Sequence, residues 1–143
     1  MNEKSVLTEE EKEFARETIK KIPFVQLLGI ELVDINRGEA ICVLRLEEKH
    51  LRGGGFLHGG VTASLIDTVT AFAVGSVTGT PANAVTVDLT IHYLRPVFRE
   101  ATAKARVLRT GKRLLTVSAE VFDENGELAA TALTTYSKIN SEK

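Results

Sequence analysis

Between Gly53 and Leu94 the chain carries no Lys, Arg or Glu, and its only formal charges there are Asp67 and Asp88. Inside that window the run from about Gly60 to Ser76, "GVTASLIDTVTAFAVGS", reads as a helix with apolar or small side chains on every face. A helix without a polar face must be covered all round, so the rest of the chain has to wrap it. What that helix does with one carboxylate is the question the sequence raises.

The wrapping material is legible on both sides. "LTEEEKEFARETIKKIP" opens on a capping box, Thr8 answered by Glu11, and closes on Lys20, Lys21 and Pro23, which predicts a short N-terminal helix. Its apolar stripe of Phe14, Ile19 and Ile22 is modest and suits a flap laid on the domain. "IELVDINRGEAICVLRL" predicts a hairpin turning at Asn36-Arg37-Gly38. After a break at Gly79-Thr80-Pro81, "AVTVDLTIHYLRP" alternates Val85, Val87, Leu89, Ile91 and Tyr93 against Thr86, Asp88, Thr90 and His92. Three more extended runs follow, punctuated by Gly111 and by Asn125-Gly126.

The order is helix, two strands, central helix, four strands. Strands joined by short turns are antiparallel, so the expected class is α+β: a curved antiparallel sheet around the central helix. Apolar helix surface left over is expected to be covered by a second copy of the chain, which makes an obligate oligomer. One domain accounts for residues 1–143, with the N-terminal helix in 1–23 and the core in 24–139.

Composition narrows the function classes. A net charge of −1 gives no basic excess for nucleic acid or an anionic membrane. The N-terminal "MNEKSVLTEEEKEF" has no apolar signal region, and no run of about 18 apolar residues is read as bilayer-spanning, so a cytoplasmic location is expected. The single cysteine, Cys42, excludes an intrachain disulfide and reads as a small buried hydrophobe.

Asp88 sits on the polar side of its strand pattern and reads as a solvated carboxylate. Asp67 does not. On a helix, Val61, Leu65, Val69 and Phe72 share one face, while Ala63, Ser64, Asp67 and Ala71 share another made of small side chains. Aspartate is poorly suited to helix interiors and is seldom buried without a partner, so a structural role requires a hydrogen-bond donor from elsewhere. A functional role pairs it with the glycines ahead of the helix. They let a ligand approach the first turn, whose unpaired N–H groups suit a developing oxyanion. A carboxylate further along could then hold or deprotonate water, or attack directly.

"HGGVTASLID", His58-Gly59-Gly60 with Asp67 nine residues after the histidine, closely resembles the motif of hotdog-fold acyl-CoA thioesterases of the phenylacetate-degradation (PaaI-like) type. "VTVDLTIHYLRPV" resembles the next strand of that family, and the resemblance covers about residues 24–139. It implies a hotdog fold, hydrolysis of acyl-CoA without metal or organic cofactor, and active sites shared between subunits of a dimer of dimers. Asp67 is then the general base or nucleophile, the Gly59 or Gly60 amide polarises the thioester carbonyl, His58 orients the loop, and Thr86 helps hold the water. Where the family often carries asparagine, six residues before the histidine, this chain has Arg52.

Other chemistries fit less well. His50, His58 and His92 lack zinc-site spacing, so no metal is expected. "GGGFLHGG" is neither a phosphate loop nor a dinucleotide fingerprint, and Ser64 lies outside a nucleophile elbow. Arg109, Lys112 and Arg113 at a hairpin tip, together with Arg52 and Arg95, are candidates for the phosphates of CoA. Two alternatives share the fold: a hydratase or dehydratase acting on enoyl-CoA, and a non-catalytic acyl-CoA or small-ligand binder.

Overall fold

In a computed structural model, which describes residues 6–139, the N-terminal helix α1 spans Glu9–Lys20. The Thr8 hydroxyl accepts from the Glu11 N–H and the Glu11 carboxylate accepts from the Thr8 N–H, the reciprocal cap expected there. Ala15 and Ile19 face inward, whereas Phe14 of the expected stripe is exposed. α1 stops ahead of Pro23, as expected, but a further helix begins at once. Pro23 occupies the first position of this second short helix, α2, Pro23–Leu28, where its missing N–H and fixed φ are no handicap.

α1 is tied to the sheet by Lys12, whose Nζ donates to Asp34 Oδ1 at 3.0 Å. That bond holds the Asp34 carboxyl below its ordinary value of 3.8, against the opposing effect of burial. A lowered folded-state value stabilises above the ordinary one, and the contribution disappears as pH falls through the lowered one. The Tm advantage of the native chain over Asp34→Asn is therefore expected to be full at pH 6 and to shrink on acidification below about pH 4. Melting curves across that range check it.

The strands are β1 Glu31–Asn36, β2 Glu39–Arg45, β3 Ala84–Tyr93, β4 Glu100–Thr110, β5 Leu114–Phe122 and β6 Leu128–Lys138. All pairings are antiparallel, in the order β1-β2-β4-β5-β6-β3. β3 and β4 are consecutive in the chain but not neighbours. β3 stands at the far edge beside β6, and β4 pairs with β2.

The central helix α3, Gly59–Thr78, lies across the sheet and packs on β2, β3, β4 and β5. Leu65, Ile66, Val69, Phe72, Ala73 and Val74 are at most 1% exposed. Each larger one stabilises by about 1.5–3 kcal/mol through burial. By length and mean hydropathy α3 does match a bilayer-crossing helix, a correction to the sequence reading, but half of that stretch is enclosed by the fold. Cys42 is fully buried on β2, and burial pushes its thiol up to about 12, so the thiol is unreactive in the folded chain.

Candidate active site

Asp67 lies in the middle of α3, half-buried, on the face bearing Ala63, Ser64 and Ala71. Its carboxylate has partners from two strands. The Thr86 hydroxyl donates to Oδ1 at 2.8 Å, and the Tyr136 hydroxyl lies 3.2 Å from Oδ1 and 2.9 Å from the Asp67 carbonyl. Among the described residues no protein group donates to Oδ2. Both donors come from one register position, where Thr86 of β3 faces Tyr136 of β6.

Thr86 reaches the helix because β3 is irregular. The register shifts between Thr86 and Asp88, which makes Val87 the extra residue of a bulge. An unbroken alternation would have turned Val85 and Val87 inward with Leu89 and Ile91. Instead Val85 and Val87 are 50% and 58% exposed, Thr86 meets the helix, and Leu89 and Ile91 still pack on the core. Asp88, set beside Thr86 in the sequence reading, is on the outside, where its carboxylate accepts from the Thr135 N–H at 3.1 Å.

Tyr136 is 2% exposed. Burial, reinforced by the charge of Asp67, pushes its hydroxyl up to about 12, while hydrogen bonds with Thr70 and Thr86 act the other way. It is a hydrogen-bond donor throughout the neutral range.

A second constellation surrounds the start of α3. His58 is the N-cap, and its Nδ1 accepts from the Gly60 N–H at 2.8 Å. The Gly60 amide is thereby engaged. Among the described residues the Gly59 N–H has no acceptor, so of the two amides considered from the sequence Gly59 is the open one. A Cβ on Gly60 would stand 3.0 Å from His58 Nδ1, so a side chain there would require the imidazole to give way. The Tyr93 hydroxyl donates to the Gly59 carbonyl at 2.8 Å and holds this turn from the end of β3. His50, fully buried, braces the loop below. Its Nδ1 accepts from the Glu47 N–H, its Nε2 donates to the Leu28 carbonyl, and its own carbonyl accepts from the His58 N–H.

An open cleft of about 610 Å³ lies at this helix end. Phe56, Leu57, Leu94 and Val97 supply apolar walls, with Arg52 and Arg95 among the lining. Arg52 folds along its own loop, its Nε donating to the Gly53 carbonyl and its guanidinium 4.8 Å above the Phe56 ring. Arg95 lies 3.9 Å from Glu127. A second cleft, about 310 Å³, opens between α1 and the C-terminal half of α3 and touches none of the residues above.

The structure thus divides the expected site residues into three groups. Asp67 and Thr86 meet. Gly59 lies about 12 Å along α3 from Asp67, given eight residues of helical rise, with His58 and Gly60 beside it and Arg52 and Arg95 lining the same cleft. Arg109, Lys112 and Arg113 sit at the β4–β5 turn, which the register places at the Thr86 end of the sheet, since Leu115 and Thr86 both pair with Tyr136. Tyr136, Tyr93 and the brace His50 are additions that sequence reasoning does not supply. In sequence, Tyr136 is one more large residue in an extended run, and only the register shows what its hydroxyl faces.

The fold and motif have clear relatives. The family model described as "Thioesterase superfamily" matches residues 54–130. Human acyl-coenzyme A thioesterase 13 is 34% identical over 128 residues, covering 87% of this chain and 91% of that protein. Acyl-coenzyme A thioesterase PaaI of Escherichia coli is 31% identical over 105 residues, covering 72% of this chain and 73% of that one. The solved structure of E. coli PaaI, from the phenylacetic acid degradation operon, superposes with a TM-score of 0.81 at 27% identity, covering 88% of this chain and 91% of that one. With the curved six-stranded sheet, the central helix and the His58-to-Asp67 motif on α3, these similarities establish that the chain is a hotdog protein belonging to the thioesterase superfamily.

Proposed function

We propose that the chain hydrolyses acyl-CoA thioesters in the cytoplasm, without metal or organic cofactor, at sites that each combine two copies of the chain. The observation that carries this reading is the placement of two chemical groups at opposite ends of β3. Thr86 holds the Asp67 carboxylate at one end, and Tyr93 holds the Gly59 turn at the other.

One chain keeps these groups too far apart to act on one carbonyl. A second copy joined antiparallel along β3 would set the Thr86 end of each chain against the Tyr93 end of its partner. Carboxylate and helix-end amide would then face the same space twice over. β3 suits such pairing: it is a ten-residue edge strand, and it exposes Val85, Val87 and Tyr93. The other edge, β1, is partly covered by α1.

In the assembled site the Gly59 N–H, at the positive end of the α3 dipole, polarises the thioester carbonyl. Oδ2 of the partner's Asp67 takes a proton from the attacking water, or attacks the carbonyl itself to give an anhydride that water then opens; in either case the carbonyl–sulfur bond breaks and CoA leaves as the thiolate when the tetrahedral intermediate collapses. The apolar cleft takes the acyl group. Arg109, Lys112 and Arg113 of one chain and Arg52 and Arg95 of the other supply positive charge for the phosphates of CoA.

The test is steady-state release of free thiol from short, medium, long and aryl acyl-CoAs. Thiol accumulating over many turnovers supports hydrolysis. A change in enoyl absorbance without thiol points to a hydratase, and ligand-induced stabilisation alone to a binder. Since Cys42 is buried, thiol reagent consumed by native protein reports CoA. Sedimentation checks the assembly: a dimer or dimer of dimers is expected at micromolar concentration, and a well-folded monomer contradicts the shared site.

A further inference from the structure

We infer that Tyr136 is a positioning residue for Asp67, clamping Oδ1 together with Thr86 so that Oδ2 is the oxygen presented to the reacting water. The inference rests on the hydrolytic reading above, and assigns a task to a residue that reading does not require.

Phenylalanine would fill the same core volume, so the hydroxyl has to be explained. Burying it unpaired is costly, and apart from Thr86 its partners lie on one turn of α3. The Asp67 carbonyl is at 2.9 Å, Asp67 Oδ1 at 3.2 Å and Thr70 Oγ1 at 2.9 Å. The Thr70 hydroxyl can donate to the Tyr136 oxygen, which leaves the single Tyr136 proton for Asp67. The ring is fixed by the core and the Thr86 backbone by the ladder. The two hydroxyls therefore approach one carboxylate oxygen from fixed points, which sets both the rotamer of Asp67 and which oxygen is occupied. An aspartate held only by its own helix would sample several rotamers beside the small side chains of Ala63, Ser64 and Ala71.

The experiment is a double-mutant cycle of Tyr136→Phe and Asp67→Asn, with kcat and KM measured on one acyl-CoA and with Tm and sedimentation recorded for each variant. Tyr136→Phe is expected to lower kcat about tenfold at unchanged KM in the native background, and to cause no further loss in the Asp67→Asn background. An equal fall in both backgrounds, or none in either, overturns the inference. If Tyr136→Phe does not fold, Thr86→Val and Thr86→Ser carry the same test: the clamp requires the valine variant to lose kcat only when Asp67 is present and the serine variant to retain it. Inactive wild type, or fully active Asp67→Asn, would instead refute the hydrolytic reading itself.

Discussion

Replacing Asp67 with asparagine is expected to lower kcat by about 10²–10⁴-fold, with KM little changed, in the range typical of losing a general base. The asparagine side chain keeps the volume of the carboxylate and an acceptor for the Thr86 and Tyr136 hydroxyls. What disappears is the negative charge and basicity at Oδ2. Because the substitution is nearly isosteric at a half-buried position, Tm and sedimentation are expected to stay close to native. Turnover retained in Asp67→Asn would remove the carboxylate from the chemistry even if the thioesterase activity were real.

Leu65→Ala carries the largest expected effect on stability. Leu65 is fully buried on the side of α3 turned to the sheet, two positions before Asp67. Truncation removes transfer free energy and leaves a cavity, a loss of about 2–5 kcal/mol. For a chain of this length that corresponds to a fall in Tm of about 4 °C for each kcal/mol. The same truncation at half-buried Val61 is expected to cost less, because solvent already reaches that side chain. Urea titrations of the two variants, compared at constant m-value, test the difference.

The parts of the fold readable from the sequence are those with strong local periodicity. α3 is legible because twenty residues without Lys, Arg or Glu can be accommodated only inside a sheet or bilayer, and the alternating runs that follow supply the sheet. α2 escapes a sequence reading because a six-residue helix has little periodicity, and proline there reads equally as a stop or a start. The position of β3 beside β6 depends on pairing across the whole sheet, which turn signals do not encode.

The same limit applies to the site. Asp67 stands out because a carboxylate in an apolar helix is chemically anomalous. Thr86 is placed by family resemblance alone, since the regular alternation of β3 argues that it faces away; the bulge at Val87 reverses that. Tyr136 and Tyr93 give no signal because tyrosine is ordinary in strands, and their hydroxyls acquire meaning only from what the register sets opposite them. Arg52, which stands in place of an asparagine, lies with its guanidinium over the Phe56 ring among the residues lining the cleft.

The most direct test of the two-chain site is complementation between Asp67→Asn and Gly59→Pro in co-expressed, mixed oligomers. Proline removes the Gly59 N–H, and the position suits it: Gly59 is the first residue of α3, and His58 before it has φ −64° and ψ 134°, which proline tolerates in its predecessor. Each variant alone is expected to be nearly inactive. In a mixed pair one site keeps both the carboxylate and the amide, so random mixing is expected to restore about a quarter of wild-type turnover. Mixed oligomers that form but stay as inactive as the separate variants would contradict a site in which the carboxylate of one chain serves the helix end of another.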